Sequence, residues 1–409
     1  MISEPTEAFV WVWLPGAIDP MVAGRLDRHA AVITFTYGRS YLERSDAIPL
    51  YLPELPLQTA PISPGPGEIA GCIADASPDA WGRRVITNRR FGAKASDNSN
   101  LNEIAYLLES GSDRIGGLDF QVSSTEYVPR LRYGTVDELA QSAEKVEQGI
   151  ALSPDLDAAL LHGSSIGGAR PKALLVDANR HVIAKFSSTT DVTPFVQAEF
   201  VAMELARRAG LDVAPVRLTS AHGRHVLLVT RFDRPGSGRR TLMVSALTIL
   251  GLDELGARYA SYADLATEIR ARFTNPDATL HELFARITFN LLVGNNDDHA
   301  RNHAAFWDGE TLTLTPAYDI CPQPRSGGET AQAMAIGEDG YRMSQLVGCR
   351  ERATTYHLTH GEATTIIDHQ LDVIRGQWAE VCDLAGLTEV NRAGLWGQQF
   401  LNSYTTDGY

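Results

Sequence analysis

The chain has 409 residues, enough for two or three domains with buried cores. Its 36 basic and 50 acidic residues leave a net charge of −14, which argues against nucleic-acid binding by the chain alone, because phosphate neutralisation supplies most non-specific affinity. No stretch reaches the roughly 18 uncharged apolar residues of a membrane span, and the first residues lack the order of a secretory signal. Cys72, Cys321, Cys349 and Cys382 are scattered with no CxxC pair, so a reducing, cytoplasmic setting is expected.

Residues 8–14 and 31–37 are rich in β-branched and aromatic side chains and read as strands. Six prolines between Pro49 and Pro66 predict an extended loop over the surface. Ser77-Pro78-Asp79 predicts a helix start, with Ser77 as the cap and Pro78 in the first turn. That helix carries Arg83, Arg84, Arg89 and Arg90, either a solvated basic face or a contact surface for a partner. Thr135-Val136-Asp137-Glu138 is a capping box opening another helix. These elements make a small mixed domain over residues 1–140.

From His162 to Lys172 the chain is rich in small residues, which let backbone N–H groups approach phosphate oxygens. It is not a Walker A motif, because Ala169-Arg170 stands where Lys-Ser/Thr is required; taken alone, it reads as a surface turn. The next strand places Val182, Ala184 and Phe186 on one face and Ile183 and Lys185 on the other. Lys185 follows the turn by one hairpin, as the phosphate-pairing lysine does in protein kinases; otherwise it guards an edge strand. Glu199, near the start of a helix expected over 196–209, is either the ion-pair partner of Lys185 or a first-turn complement to the helix dipole. The apolar strand from Val226 turns polar at Thr230-Arg231-Phe232, which suits a hinge whose backbone pairs an adenine edge.

Beyond about residue 242 helical periodicity takes over. An apolar run from Leu283 to Val293 ends at Gly294 and leads into Asn295-Asn296-Asp297-Asp298-His299-Ala300-Arg301-Asn302. Asp297 and Asn302 stand five positions apart, the spacing of a kinase base and its metal-binding amide. Asp319 follows a strand-like Thr311 to Leu314, and a carboxylate there could hold Mg²⁺, which wants hard oxygen ligands. A sheet-rich part with turn, Lys and Glu, followed by a helical part with Asp, Asn and Asp, is the kinase order. A rival reading makes His299 and His303 an i, i+4 metal-hydrolase pair, but a zincin needs Glu after the first His and Ala300 is there.

Ser165-Ile166-Gly167-Gly168-Ala169-Arg170-Pro171-Lys172, Lys185, Arg231-Phe232-Asp233-Arg234, Asn296 to Asn302 and Leu314 to Ile320 together resemble the HipA family, kinase toxins of bacterial toxin–antitoxin pairs. The likeness runs end to end. It implies an α+β, protein-kinase-like two-lobed fold with an added N-terminal α/β subdomain. On that division residues 1–140 are the subdomain, 141–240 the nucleotide-binding part, and 241–409 a mainly helical C-terminal lobe with the catalytic loop. It implies serine/threonine phosphorylation with ATP and Mg²⁺, with Asp297 as catalytic residue and Asn302 and Asp319 on the metal. The nucleotide would meet Ile166, Gly167, Gly168, Ala169, Arg170, Pro171, Lys172, Lys185, Glu199, Thr230, Arg231, Phe232, His299 and Asn302.

The resemblance also implies a protein substrate from translation, such as an aminoacyl-tRNA synthetase, and inactivating autophosphorylation at Ser165, with Ser164 as the other candidate. A small helix-turn-helix antitoxin would neutralise the chain and bring it to operator DNA, with no membrane involved. Asp319-Ile320-Cys321 replaces Asp-Phe-Gly, Asn296 replaces the usual Arg, and no Ala-Pro-Glu is present, which argues against activation-loop phosphorylation as the switch. The alternatives are a small-molecule kinase of the aminoglycoside-phosphotransferase type and a kinase-like scaffold in a DNA-binding repressor complex.

Overall fold

The computed structural model describes residues 4–91, 101–131, 134–147, 170–177, 180–187, 191, 193–325 and 327–409. Two compact units are formed, one from Met1–Thr189, Thr219–Val244 and Phe306–Glu310, the other from Thr190–Leu218, Ser245–Ala305 and Thr311–Tyr409. The architecture is α+β with antiparallel sheets. No helix among the described residues is long and apolar enough to cross a membrane.

The first unit opens with strands β1 (Glu7–Val12), β2 (Met21–His29) and β3 (Val32–Tyr37), joined by β4 (Leu118–Gln121) in the order β3-β2-β1-β4. The sequence pattern foretells β1 and β3 but not β2, whose charges and Gly24 dilute the strand signal. Gly24 is there for space: a Cβ would stand 2.3 Å from the Thr36 carbonyl oxygen and 2.7 Å from the Phe35 ring. The proline-rich segment is not the surface loop expected. Leu50, Tyr51 and Leu55 are buried, Ile62 bridges Phe35, and the Tyr37 hydroxyl donates to the Leu55 carbonyl. Prolines that interrupt a ladder do not stop neighbouring apolar residues from filling a core.

Helices α1 (Ala80–Phe91), α2 (Glu103–Glu109) and α3 (Val136–Glu147) pack on one face of a second sheet. Asp79, not Ser77, caps α1, accepting from the Gly82 N–H at 2.8 Å, while the Ser77 hydroxyl donates to Glu103. Arg83 is bonded to Glu103 and Arg90 to Glu109, so half of the basic face is spent on holding α1 to α2. The capping box of α3 is present, with Thr135 and Glu138 exchanging bonds. The sheet contains β5 (Lys172–Asp177), β6 (Arg180–Phe186), β7 (Val216–Ala221) and β8 (Arg224–Thr230) in the order β5-β6-β8-β7. Ala173, Leu175, Val182, Ala184, Phe186, Val226 and Leu228 face Trp81, Val85, Ile86 and Leu139. The alternation of β6 thus leaves Ile183 and Lys185 on the other face, with Lys185 directly opposite Lys172 in register.

Where β8 leaves the sheet, a buried charge network closes the unit. Arg231 donates to Asp113 at 2.8 Å and to both oxygens of Asp233 at 2.9 and 2.7 Å. Arg234 bridges the same two carboxylates at 3.0 and 2.8 Å, and Asp233 also accepts from the Gly116 N–H at 2.7 Å. Burial alone would raise both carboxyl pKa values, but the two guanidinium groups outweigh it and hold them below the usual range.

The second unit holds α4 (Phe195–Arg208), α5 (Tyr262–Arg272), α6 (Pro276–Val293), α7 (His360–Leu384) and α8 (Glu389–Leu395). Of the short strands β9 (Met243–Ser245), β10 (Ala304–Trp307) and β11 (Leu312–Leu314), β11 alone lies wholly in this unit. Helix α6 starts on Pro276, whose missing N–H costs nothing at a first turn. Its residues from Phe284 to Val293 are buried all round save Ala285, which makes it the central helix of the unit.

Asp79 generates a pH test. Its second oxygen is buried without a hydrogen bond, 3.9 Å from the Lys172 ammonium. Burial pushes its pKa up to about 6, against the pull of Lys172. The folded chain therefore keeps this proton to higher pH than the unfolded chain does. The stability it contributes is full below about pH 4 and is lost as pH rises to about 6, on the order of 2 kcal/mol. Urea midpoints measured from pH 4 to 7 should fall less in Asp79→Asn than in the wild type. Parallel curves would contradict the assignment.

Candidate active site

The site is built at the end of α6. Gly294 takes a left-handed φ of +71°, and its N–H and that of Asn295 bond back to Leu291 and Asn290. A Cβ on Gly294 would stand 2.6 Å from the Gln399 carbonyl oxygen, so glycine is required twice over at this turn. The Gln323 N–H donates to the Gly294 carbonyl, which draws the segment after Asp319 back to the helix end.

Two adjacent aspartates then have opposite fates. Asp298 is buried, and its Oδ2 accepts from Tyr262 Oη at 2.5 Å, Asn290 Nδ2 at 2.7 Å and His303 Nε2 at 2.9 Å. The Tyr262 ring also stands edge-on to His303 at 5.6 Å. Burial raises the Asp298 pKa, but His303 and Tyr262 outweigh it and keep it ionised. Asp297, by contrast, is exposed. Its pKa is raised, first by partial desolvation; His299 opposes this, while Asp319 and Asp298 add to it. A carboxylate turned outward, with a basicity above the ordinary, is suited to accept a proton.

Asn302 is buried at the end of the short turn Ala300–Asn302. Its Nδ2 donates to the Asp297 carbonyl at 3.4 Å and its N–H to that of His299 at 2.8 Å. The amide oxygen is then the prong left for a cation. The segment reaching Asp319 is fixed by a parallel bridge between Val213 and Ala317, and by Arg286, which donates to the carbonyls of Asp212 and Thr315. Asp319 itself has φ +60°, a left-handed conformation that costs a non-glycine residue on the order of 1 kcal/mol. Its charge acts on Asp297, so Asn302 and Asp319 bring two oxygen donors to the neighbourhood of Asp297. That set fits Mg²⁺, which binds through one or two carboxylates and leaves its remaining positions to water and phosphate. Among the described residues no three His, Cys, Asp or Glu side chains form a metal cluster.

The histidine pair of the hydrolase reading is dissolved by geometry. His299 and His303 both have extended backbones, so their spacing confers no shared helix face, and the Nε2 of His303 belongs to Asp298.

In the first unit, Ser165, Ile166, Gly167, Gly168 and Ala169 lie outside the described residues. Arg170 is exposed, the Pro171 carbonyl accepts from the Phe186 N–H at 3.1 Å, and Lys185 is half-buried on β6. Two expected nucleotide ligands have other engagements. Lys172 is buried beside Asp79, and its carbonyl accepts from Trp81 Nε1, so it anchors β5 to the start of α1. Arg231 is consumed by Asp113 and Asp233, and its N–H donates to the His181 carbonyl. Thr230 pairs across from Val182, and Phe232 stands edge-on to Phe306 at 5.8 Å. In the second unit, Glu199 is buried on α4, unlike an exposed carboxylate that merely complements a helix dipole.

The residues that sequence reading misses are Tyr262 and Asn290. Asn290 leaves one trace, an amide in an otherwise apolar stretch of α6. The two aspartates should separate cleanly in a stability experiment. Asp298→Ala would strand three buried donors and lower stability by roughly 3–5 kcal/mol, whereas Asp297→Asn should stay within about 0.5 kcal/mol of wild type. Equal melting temperatures for the two variants would contradict the arrangement.

The HipA-like C-terminal domain family matches residues 164–378, and the HipA N-terminal domain family matches residues 12–121. A relative from Sinorhizobium fredii, named "Putative kinase Y4mE", is 29% identical over 343 residues, 76% of this chain and 76% of that protein. The serine/threonine-protein kinase toxin HipA of Shewanella oneidensis is 28% identical over 184 residues, 38% of this chain and 42% of that one. Among solved structures, the complex of Shewanella oneidensis HipA with HipB and its operator DNA contains a chain of the same fold. It aligns at a TM-score of 0.69 with 20% identity, covering 97% of this chain and 99% of that one. The chain belongs to the HipA family of kinase toxins.

Proposed function

We propose that this chain is an ATP- and Mg²⁺-dependent serine/threonine protein kinase, the toxin of a bacterial toxin–antitoxin pair. The observation that carries the reading is the exposed Asp297, set beside Asn302 and Asp319 by a loop whose next residue is clamped inside. On this reading residues 1–140 are the added subdomain, 141–240 the nucleotide-binding part and 241–409 the helical lobe. The acceptor is a protein of the translation apparatus. A small helix-turn-helix antitoxin neutralises the chain in the cytoplasm and carries it to operator DNA; the net charge of −14 supports DNA contact through that partner rather than directly.

ATP supplies the transferable phosphoryl group, and Mg²⁺ neutralises the charge that develops on it. Asn302 and Asp319 hold the metal through their side-chain oxygens. The family resemblance assigns Lys185 and Glu199 to orienting the phosphates, and Gly167 and Gly168 to the nucleotide. His299 adds a ring beside Asp297 that lowers the latter's pKa and adjoins the phosphates. Asp297 aligns the acceptor hydroxyl and takes its proton, so activity should rise with pH through a pKa above the usual carboxylate range. Because the transition state is loose, position and charge contribute most of the acceleration.

Incubation with ATP should place one phosphate on the peptide containing Ser164 and Ser165, read by mass spectrometry. There about −1.5 to −2 charges would repel a nucleotide from the same turn. Asp297→Asn should slow transfer roughly 10²–10⁴-fold and Lys185→Met roughly 10²–10³-fold. Glu199→Gln should add little to the loss in Lys185→Met, as expected for groups acting as a pair. Wild-type rates in Asp297→Asn would refute the catalytic assignment, and full additivity of the other two would refute the pair.

A further inference from the structure

The turn Gly251–Ala260 of the second unit exposes what a folded chain ordinarily hides. Leu255 is 82% exposed, the highest value for a large apolar side chain among the described residues, and Tyr259 is 66% exposed. Single exposed apolar residues are common; this short loop carries two. The loop is well built because its backbone is bonded locally. The Leu252 N–H donates to the Leu247 carbonyl, the Gly256 N–H to Asp253 Oδ1 at 2.7 Å, and the Tyr259 N–H to the Gly256 carbonyl at 2.9 Å. Beyond it Ala260 is buried and Ser261 caps α5, so both ends are anchored.

The same loop is wired to the catalytic segment. Glu254 forms an ion pair with Arg301, which lies between Asp297 and Asn302 and whose carbonyl accepts from the Tyr318 hydroxyl at 2.7 Å. Within that pair Glu254 is the outer member, with its side chain 73% exposed against 36% for Arg301. A carboxylate can accept about four hydrogen bonds, so Arg301 orients Glu254 without saturating it. Asp253 lies beside it, while the one cation of the loop, Arg258, is folded over the Tyr259 ring at 4.8 Å. A net charge of −14 adds a long-range pull on basic partners.

We propose that this loop is the docking surface for the acceptor protein, with Glu254 selecting a lysine or arginine near the acceptor hydroxyl and Leu255 and Tyr259 receiving an apolar residue beside it. The inference rests on the kinase reading above and names the chemistry of its acceptor. A basic residue bound at Glu254 is held one side chain away from the catalytic loop, which brings the acceptor hydroxyl toward Asp297. An acidic residue there would meet two carboxylates. Glu254, Leu255 and Tyr259 touch none of the reacting groups and act through position alone.

The test uses the full chain, ATP and serine peptides whose residues flanking the acceptor are Arg, Ala or Glu, together with a bacterial extract for whole-protein acceptors. Wild type should favour the Arg series over the Glu series by about tenfold or more in kcat/KM, roughly the value of one good charge contact. Glu254→Lys should reverse that order. Leu255→Asp and Tyr259→Ser should raise KM about tenfold with kcat unchanged. Self-phosphorylation on the Ser164–Ser165 peptide should persist in all three variants, reporting an intact fold and nucleotide site. Absence of a charge preference, an acidic preference in wild type, or an unreversed preference in Glu254→Lys would overturn the proposal. So would self-phosphorylation with no transfer to any peptide or extract protein. If wild type transfers phosphate neither to itself nor to any acceptor, the kinase reading itself fails.

Discussion

A single buried carboxylate sets the geometry of the site. Asp298 gathers a hydroxyl from α5, an amide from α6 and the imidazole of His303 just before β10, and its charge persists because these three donors replace the water it lost. Removing any of them would leave polar groups stranded in a dry interior, so the turn after α6 has one stable course. Its neighbour Asp297 is left outside as a consequence. Asn302, bonded to the carbonyl of Asp297, is carried along by the same short turn. Pre-organisation of this kind fixes polar side chains before any ligand arrives, which is where electrostatic stabilisation gains most.

The first unit relies on a similar device. Arg231 and Arg234 share Asp113 and Asp233 at the exit of β8, all four side chains being almost wholly buried. Such networks are weak contributors to net stability, since desolvation offsets most of the attraction, but a half-broken one is costly. Their value here is registration. Asp113 lies in the segment before β4 and Asp233 after β8, so the network ties the N-terminal sheet to the strand that continues from Lys185's neighbour. Lys172 and Asp79 make a second, looser tie between β5 and α1.

Much of this was legible from the chain alone, where the signal is local. The alternation of Val182, Ala184 and Phe186 against Ile183 and Lys185, the box of Thr135 and Glu138, and the stop at Gly294 each depend on a few adjacent residues. The five-residue interval between Asp297 and Asn302 is equally local, as one turn sets both positions. What stayed hidden depends on distant partners. Tyr262 meets Asp298 across 36 residues and Arg231 meets Asp113 across 118, and no periodicity records such meetings. Lys172 follows a glycine-rich stretch, and the sequence gives no sign of its burial or of its approach to Asp79 across 93 positions. Strand β2 escaped because Gly24 serves the Phe35 ring rather than a turn.

The central claim is that the loop after α6 and the Asp319 segment together form a metal–nucleotide site. Calorimetric titration of ATP into wild type and Asp319→Asn, with and without Mg²⁺, tests it most directly. The account predicts that Mg²⁺ tightens ATP binding to wild type and does so about tenfold less in Asp319→Asn, the two proteins melting alike. Identical Mg²⁺ dependence in both proteins would contradict it.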